Sequence, residues 1–132
     1  MKNWILILVL SVMTVGYVNA QKSTLQKQGT ATQLVVDGKT FLILGGELGN
    51  SSAACTEDIE RIFPKLQRIG LNTVLVPAYW DLIEPQEGQF DFTLTDKVIR
   101  QARQNDLKVI FLWFGAWKNS MSCYAPLWFK EN

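Results

Sequence analysis

Two apolar runs constrain the fold of this chain more than any other feature. Residues 73–76 (TVLV) and residues 107–114 (LKVIFLWF) lack the regular alternation of polar and apolar side chains. Alternation marks a strand with one face in water, whereas continuous apolar runs are typical of parallel strands covered on both faces. Each run is preceded by a helical pattern, so the sequence predicts an α/β fold with a parallel sheet and right-handed crossovers.

The two stretches before these strands have the periodicity of amphipathic helices. The first begins at Thr56, whose hydroxyl is a candidate N-cap, and Gly70 is its expected C-terminal stop. Pro64 predicts that this helix bends or restarts within its length. The second begins with Thr93 as N-cap and Asp96 as the partner in a capping box.

A β-hairpin is predicted before the first helix. Asp37 and Gly38 separate two strand-like runs, at residues 33–36 and 40–44, and both turn residues tolerate positive φ. Residues 21–30 are polar and predict a disordered leader. The domain is therefore expected over residues 31–132, in the order hairpin-β, α, β, α, β.

The first twenty residues have the composition of a secretory signal peptide. Lys2 supplies the positive start, residues 4–15 are mostly apolar, and residues 18–20 (VNA) end in the small residue that signal peptidase accepts. The apolar run is too short for a stable membrane span. We expect cleavage after Ala20 and a secreted or periplasmic location in a bacterium.

Charge and composition exclude several classes of function. The chain has 13 Lys and Arg against 12 Asp and Glu, and the loss of Lys2 with the signal leaves the two signs balanced, which gives no support to a nucleic-acid partner. It contains no His, the commonest general base and metal ligand. Secretion would permit a disulfide between Cys55 and Cys123, whose spacing fits no zinc motif; pairing and two free thiols both stay open.

Residues of functional type follow each predicted strand at its carboxyl end, where parallel α/β folds bind ligands. Aromatic rings stack on the C–H face of a pyranose, and carboxylates accept hydrogen bonds from its hydroxyls. The sequence therefore predicts a sugar site. Its candidate substrate-binding residues are Glu47, Tyr79, Trp80, Glu84, Trp117, Lys118 and Asn119.

Some of these residues have a structural alternative. Glu84 precedes Pro85, and either a loop-anchoring hydrogen bond or a substrate contact would explain it. Trp113 lies inside a strand run, where packing is its alternative to binding. The glycine-rich residues 45–49 do not match a phosphate-binding loop, which disfavours a nucleotide-dependent enzyme.

The same residues resemble a known group of enzymes. The segments at 70–74 and 84–92 (EPQEGQFDF), with Trp80 between them, are similar to the second-strand region of retaining glycoside hydrolases with a (β/α)₈ barrel. The resemblance is to the N-terminal domain of family 42 β-galactosidases, with family 35 as its neighbour. Residues 45–47 and 112–119 fit secreted bacterial members of this group.

The resemblance extends over about residues 33–132 and implies the N-terminal part of a (β/α)₈ barrel. It implies hydrolysis of oligo- or polysaccharides, β-galactosides above all, by double displacement, without a metal or an organic cofactor. Its two catalytic Glu residues follow the fourth and seventh strands, beyond Asn132. We therefore expect an N-terminal fragment that is inactive by itself. The alternative is a secreted, non-catalytic carbohydrate-binding protein, although such modules are usually antiparallel sandwiches.

Overall fold

A computed structural model describes residues 23–118 and 122–131 of the chain. The signal peptide predicted over residues 1–20 lies outside the described residues. The chain divides into two compact units, Met1–Leu42 and Ile43–Asn132. In the part of the chain that the structure describes, every helix is too short or too polar to cross a membrane.

The first unit contains three strands and the second contains three strands and four helices, among the described residues. In chain order they are β1 (Ser23–Gln28), β2 (Ala31–Val36), β3 (Lys39–Thr40), β4 (Gly45–Glu47), α1 (Thr56–Arg68), β5 (Thr73–Tyr79), α2 (Trp80–Ile83), α3 (Thr93–Gln104), β6 (Lys108–Phe114) and α4 (Leu127–Lys130).

The first unit is an antiparallel sheet in the order β1, β2, β3. Asp37 and Gly38 connect β2 to β3 with φ angles of 50° and 76°, and Val36 pairs with Lys39 across the turn. Positive φ at both central residues is the geometry of the tightest hairpin turns. The predicted hairpin is confirmed, but its second strand ends at Thr40 and is shorter than expected.

The disordered leader predicted over residues 21–30 is wrong for most of its length. Ser23–Gln28 forms β1 and pairs with Ala31–Val36 through a turn at Gly29, whose φ is 61°. The side chains of β1 are mostly exposed. Composition indicates whether side chains can be buried, whereas β1 is held by backbone hydrogen bonds to β2, which a polar strand makes equally well.

The second unit is built on a parallel sheet in the order β4, β5, β6. The helix α1 connects β4 to β5, and α3 lies between β5 and β6. Gly45 pairs with Thr73, and Thr73 pairs with Lys108, so the three strands start in register. The predicted alternation of parallel strands and helices is confirmed.

The central strand β5 continues through Pro77, three residues beyond the predicted apolar run. In a parallel strand the N–H and C=O of one residue point to the same side, and alternate residues share that side. The carbonyl of Leu75 accepts a hydrogen bond from the Leu48 N–H at 3.0 Å, so Pro77 faces the side where β4 has already ended. The N–H that proline lacks has no partner strand there, and the strand extends to Tyr79.

The ends of α1 and α3 differ from the predicted caps. Cys55 is the N-cap of α1, although its side chain makes no capping hydrogen bond, so the cap predicted at Thr56 is wrong. Thr93 is the first residue of α3, and the carboxylate of Asp91 accepts a hydrogen bond from the Thr93 N–H at 2.8 Å. Phe92 is therefore the N-cap of α3, and the cap predicted at Thr93 is wrong by one residue. Pro64 lies within α1, which runs as one helix over Thr56–Arg68.

Gly70 ends α1 as predicted. Its φ is 83°, and its N–H donates to the carbonyl of Gln67 at 3.0 Å. The N–H of Leu71 donates to the carbonyl of Leu66 at 3.2 Å. This pair of hydrogen bonds is the Schellman motif, which requires a residue free to adopt the left-handed conformation. Leu71 is thereby turned toward the sheet, where its side chain packs against the core.

The core of the second unit lies between the helices and the sheet. The fully buried residues include Ile59 and Phe63 of α1, Val74 and Val76 of β5, and Val98 of α3. The strand β6 is different: Ile110 and Phe111 are exposed and Trp113 is 59% exposed. The prediction that this strand is buried on both faces is wrong for the described residues, because β5 has a paired strand on each side whereas β6 pairs with β5 alone among them.

Replacing Phe63 by alanine should destabilise the second unit severely. Phe63 is 0% exposed, and removal of a buried phenyl ring costs about 3–5 kcal/mol through lost burial and the cavity left behind. Phe90→Ala is the matched control, since its ring is 61% exposed and its loss should change stability by less than about 1 kcal/mol. Urea unfolding measures both. Similar losses in the two variants would contradict the described core.

Candidate functional site

The candidate site lies at the carboxyl ends of the three parallel strands. Glu47, Tyr79 and Phe114 are the last residues of β4, β5 and β6. Glu47 pairs with Leu75, and Tyr79 pairs with Phe114. Because alternate residues of a strand share a face, Glu47, Leu75, Tyr79 and Phe114 all belong to the same face of the sheet. The fold therefore brings together residues that are far apart in sequence.

Three aromatic rings form the floor of this site. Tyr79 contacts Phe114 edge to face with 5.8 Å between ring centroids, and Tyr124 lies 5.4 Å from Tyr79 and 5.0 Å from Phe114. Tyr79 and Phe114 are both buried. The Tyr79 hydroxyl accepts a hydrogen bond from the Ala53 N–H at 3.4 Å. Burial raises the pKa of Tyr79 to about 12, and this hydrogen bond acts in the opposite direction.

Lys118 and Glu47 meet above this floor. The Lys118 Nζ lies 4.0 Å from the Glu47 Oε1 and 4.6 Å from the centroid of the Phe114 ring. The side chains of Lys118 and Glu47 are 26% and 53% exposed. At 4.0 Å the ion pair is at its outer limit, and an exposed pair of this kind is weak. Both charged groups therefore keep hydrogen-bonding capacity for a ligand, and two predicted site residues are placed side by side.

Lys118 is carried by a short hairpin that follows β6. The Lys118 N–H donates to the Ser122 carbonyl at 2.8 Å, and the Ser122 N–H donates back at 3.0 Å. At the base of the hairpin the Tyr124 N–H donates to the Gly115 carbonyl at 3.0 Å. Trp117 is 75% exposed and presents an open aromatic surface. Asn119, also predicted as a site residue, lies outside the described residues.

Trp80 and Glu84 belong to a separate, internally bonded cluster. The Trp80 Nε1–H donates to one carboxylate oxygen of Glu84 at 2.7 Å, and the Gly88 N–H donates to the other at 2.9 Å. These two hydrogen bonds, the one from Trp80 first, lower the pKa of Glu84. The Trp128 Nε1–H donates to the Glu84 carbonyl at 2.9 Å. These contacts favour the loop-anchoring interpretation of Glu84 over direct substrate contact.

The Trp80 ring packs against other aromatic rings, so it is not an open stacking surface for a ligand. It contacts Phe129 at 4.9 Å and Trp128 at 5.8 Å between ring centroids. The Trp80 cluster therefore joins the loop after β5 to α4, which follows β6. A second connection runs from the Asp81 N–H to the Tyr124 carbonyl, at 2.9 Å. Together they hold the loops after two neighbouring strands in one position.

Three residues that matter at this edge of the sheet were not among the predicted site residues. Phe114 and Tyr124 form the floor, and Trp128 anchors the loop after β5. Phe114 is the last residue of an apolar strand and was treated as core. Tyr124 and Trp128 lie in a segment without helical or strand periodicity, and only their aromatic character is a signal. Their contacts are tertiary.

The described residues also show the state of the two cysteines and the positions of possible metal ligands. Cys55 and Cys123 are exposed free thiols rather than a disulfide. Within residues 23–118 and 122–131, no group of three or more Cys, Asp or Glu side chains is placed to hold a metal ion. The described site therefore consists of an ion pair, an exposed tryptophan and a buried aromatic floor.

The sequence profile of Glycosyl hydrolases family 35 matches residues 33–117. The chain belongs to this family. The matched range includes the ends of all three parallel strands and most of the described site. Family 42, the first choice of the sequence analysis, is not supported, and its expected neighbour is the family found. The motif behind that choice surrounds Glu84, whose carboxylate accepts hydrogen bonds from Trp80 and Gly88 within the chain.

Two curated relatives are β-galactosidases. A "Beta-galactosidase" of Xanthomonas manihotis is 37% identical over 82 residues, which cover 60% of this chain and 14% of the relative. "Beta-galactosidase 11" of Arabidopsis thaliana is 32% identical over 62 residues, covering 47% of this chain and 7% of the relative. The chain thus spans a small part of the length of either relative.

Solved structures with a similar fold include two other glycosidases. The exo-β-1,4-mannosidase Op5Man5 from Opitutaceae bacterium strain TAV5 aligns with a TM-score of 0.56 at 22% identity, covering 69% of this chain and 18% of that chain. The endo-1,4-β-mannanase from Rhizomucor miehei aligns with a TM-score of 0.53 at 20% identity, covering 81% and 33%. At these identities the likeness concerns the fold, a partial α/β domain whose neighbours are TIM-barrel glycosidases.

Replacing Glu84 by glutamine should loosen the loop after β5. Trp80 and Gly88 donate to different oxygens of Glu84, and glutamine replaces one of these oxygens by an NH₂ donor, so one of the two hydrogen bonds is lost. We expect a lower melting temperature at pH 7 and a changed tryptophan fluorescence. Because the pKa of Glu84 is lowered in the folded chain, its stabilising effect is present above the ordinary value of 4.5 and is lost as the pH falls below it. The difference between the two proteins should therefore shrink at pH 3.

Glu87→Gln serves as the control, since Glu87 is exposed in the same loop and should leave melting temperature and fluorescence unchanged. If Glu84→Gln melts like the wild type at pH 7, the loop-anchoring role of Glu84 is wrong.

Proposed function

We propose that this protein is a glycosidase that hydrolyses β-linked galactosides of oligo- or polysaccharides. Membership of glycosyl hydrolases family 35 and the similarity to two β-galactosidases support this activity. The observation that carries the proposal is the placement of Glu47, Lys118 and Trp117 at the carboxyl ends of parallel strands. This edge is where barrel enzymes of the α/β class bind their substrates.

Each of these groups has a physical task in holding a sugar. The exposed ring of Trp117 offers an apolar surface for the C–H face of a pyranose. Glu47 accepts hydrogen bonds from sugar hydroxyls, and Lys118 donates to their oxygens. The buried rings of Tyr79 and Phe114 keep water from beneath the ion pair, which strengthens these polar interactions. The site would orient a galactoside without reacting with it.

The chemistry in this proposal is a retaining double displacement. One carboxylate attacks the anomeric carbon while a second, about 5 Å away, protonates the leaving oxygen; water then hydrolyses the glycosyl-enzyme intermediate. We assign neither role to a described residue. Both oxygens of Glu84 accept internal hydrogen bonds, and the resemblance gives the two catalytic roles to Glu residues that follow the fourth and seventh strands of the barrel, which excludes Glu47 at the end of β4, the first of the parallel strands.

Replacing Trp117 by alanine should weaken galactoside binding by about two- to tenfold, which corresponds to the loss of one aromatic stacking contact of about 0.5–1.5 kcal/mol. Calorimetry with methyl β-D-galactopyranoside measures the affinity, and the release of 4-nitrophenol from its β-galactoside measures hydrolysis. Trp113→Ala is the matched control: Trp113 is also exposed but belongs to the opposite face of β6 from Phe114.

The outcome separates the proposed function from its alternative. Hydrolysis that releases β-galactose first, as seen by proton NMR, supports the retaining enzyme. Because neither catalytic carboxylate is assigned to a described residue, hydrolysis is measured on the longest protein that the gene encodes. Galactoside binding that depends on Trp117 without hydrolysis by that protein would favour a non-catalytic carbohydrate-binding protein. If the Trp117 and Trp113 substitutions weaken galactoside binding equally, Trp117 does not belong to the binding site.

We further propose that the protein is exported from a bacterial cell by its first twenty residues. Support comes from the positive, apolar and small-residue regions of residues 1–20. The mature protein should begin at Gln21, as measured by mass spectrometry of the N-terminal peptide from the periplasm or medium. Ala20→Arg should retain the precursor mass, because signal peptidase requires a small residue at the cut. A cytoplasmic protein that keeps residues 1–20 would contradict export.

A further inference from the structure

The Glu47 and Lys118 pair bears on the charge of the sugar that the site accepts. Its members are 4.0 Å apart, and both side chains are open to solvent at the end of the sheet. The structure contains a second Lys–Glu pair, Lys97 with Glu60, on the helices α1 and α3. That pair joins two helix surfaces, whereas the Glu47 and Lys118 pair lies over the aromatic floor of the candidate site.

Lys118 by itself would select for negative charge. Its ammonium group lies over the ring of Phe114, which is buried. The low polarity of this ring strengthens the electrostatic attraction between the ammonium group and an approaching anion. A lysine in this position attracts the carboxylate of a uronic acid or the sulfate ester of a sulfated sugar. Such charged substituents are common in glycans that otherwise share the ring shape of galactose.

Glu47 opposes that selection. A negatively charged group that approaches Lys118 also approaches the Glu47 carboxylate, since only 4.0 Å separates the two charged groups. Repulsion from Glu47 then offsets the attraction to Lys118. A neutral sugar has no such cost: one hydroxyl donates to Glu47, and the oxygen of a neighbouring hydroxyl accepts from Lys118. Specificity commonly comes from a repulsive group of this kind beside an attractive one.

We infer that Glu47 determines specificity by excluding anionic glycans, so that the site takes neutral galactosides and rejects uronates and sulfated sugars. This inference rests on the proposed function, because it requires that a sugar binds over Glu47 and Lys118. It goes beyond that function in naming the charge class of the substrate and the residue that sets it.

The test compares two probes of the same ring shape, methyl β-D-galactopyranoside and methyl β-D-galactopyranosiduronate, by calorimetry on the full chain. The wild type should prefer the neutral probe. Glu47→Gln should shift the ratio of the two affinities toward the uronate by about two- to fivefold at low salt. Lys118→Gln should shift the same ratio in the opposite direction. Both shifts should shrink as salt rises to about 0.5 M, because salt screens exposed charges.

Glu60→Gln is the matched control. Glu60 is also a glutamate paired with a lysine, and its side chain is 50% exposed against 53% for Glu47. The substitution changes the net charge by the same amount away from the strand ends, so the affinity ratio should stay at its wild-type value. A shift equal to that of Glu47→Gln would show a general charge effect and would overturn the inference.

The remaining outcomes distinguish the two proposals. If the wild type binds neither probe, the proposed function fails and the inference fails with it. If the wild type binds the neutral probe and a folded Glu47→Gln protein keeps the same ratio, only the inference is overturned. If Glu47→Gln does not fold, as judged by circular dichroism, the Lys118→Gln ratio decides, and an unchanged ratio there overturns the inference.

Discussion

The parallel pairing of β4, β5 and β6 is the constraint on which the rest of the second unit depends. Parallel strands send every following loop to the same edge of the sheet, so the residues after β4, β5 and β6 meet there. The central position of β5 sets the register of both neighbours. Glu47, Tyr79 and Phe114 reach one face because each occupies the last position of its strand on that face.

The position of the loops is fixed by a small number of hydrogen bonds beyond the sheet. Glu84 holds the loop after β5 through both of its carboxylate oxygens, and its backbone carbonyl holds Trp128. The link from Asp81 to Tyr124 ties the same loop to the hairpin that carries Lys118. A motif that resembles a functional signature thus has a structural role in this chain: its hydrogen bonds fix the loop after β5.

Sequence patterns were most informative where one local rule decides the outcome. Asp37 and Gly38 predicted a hairpin because few residues tolerate positive φ, and Gly70 predicted a helix end for the same reason. Local rules failed at the start of α3, where Phe92 is the N-cap and the Thr93 N–H donates to the carboxylate of Asp91. They also failed for β1, because a polar composition does not report backbone pairing with a neighbouring strand.

The sequence by itself determined the α/β class and the alternation of the three parallel strands with the two long helices, because hydrophobic periodicity and turn chemistry are local properties. Only the tertiary structure decided which candidates act together. Lys118 and Glu47 are 71 positions apart and meet through the register of three strands, while Glu84, which looked equally functional, has its carboxylate occupied by Trp80 and Gly88. A side chain's partners depend on long-range packing, which no local pattern contains.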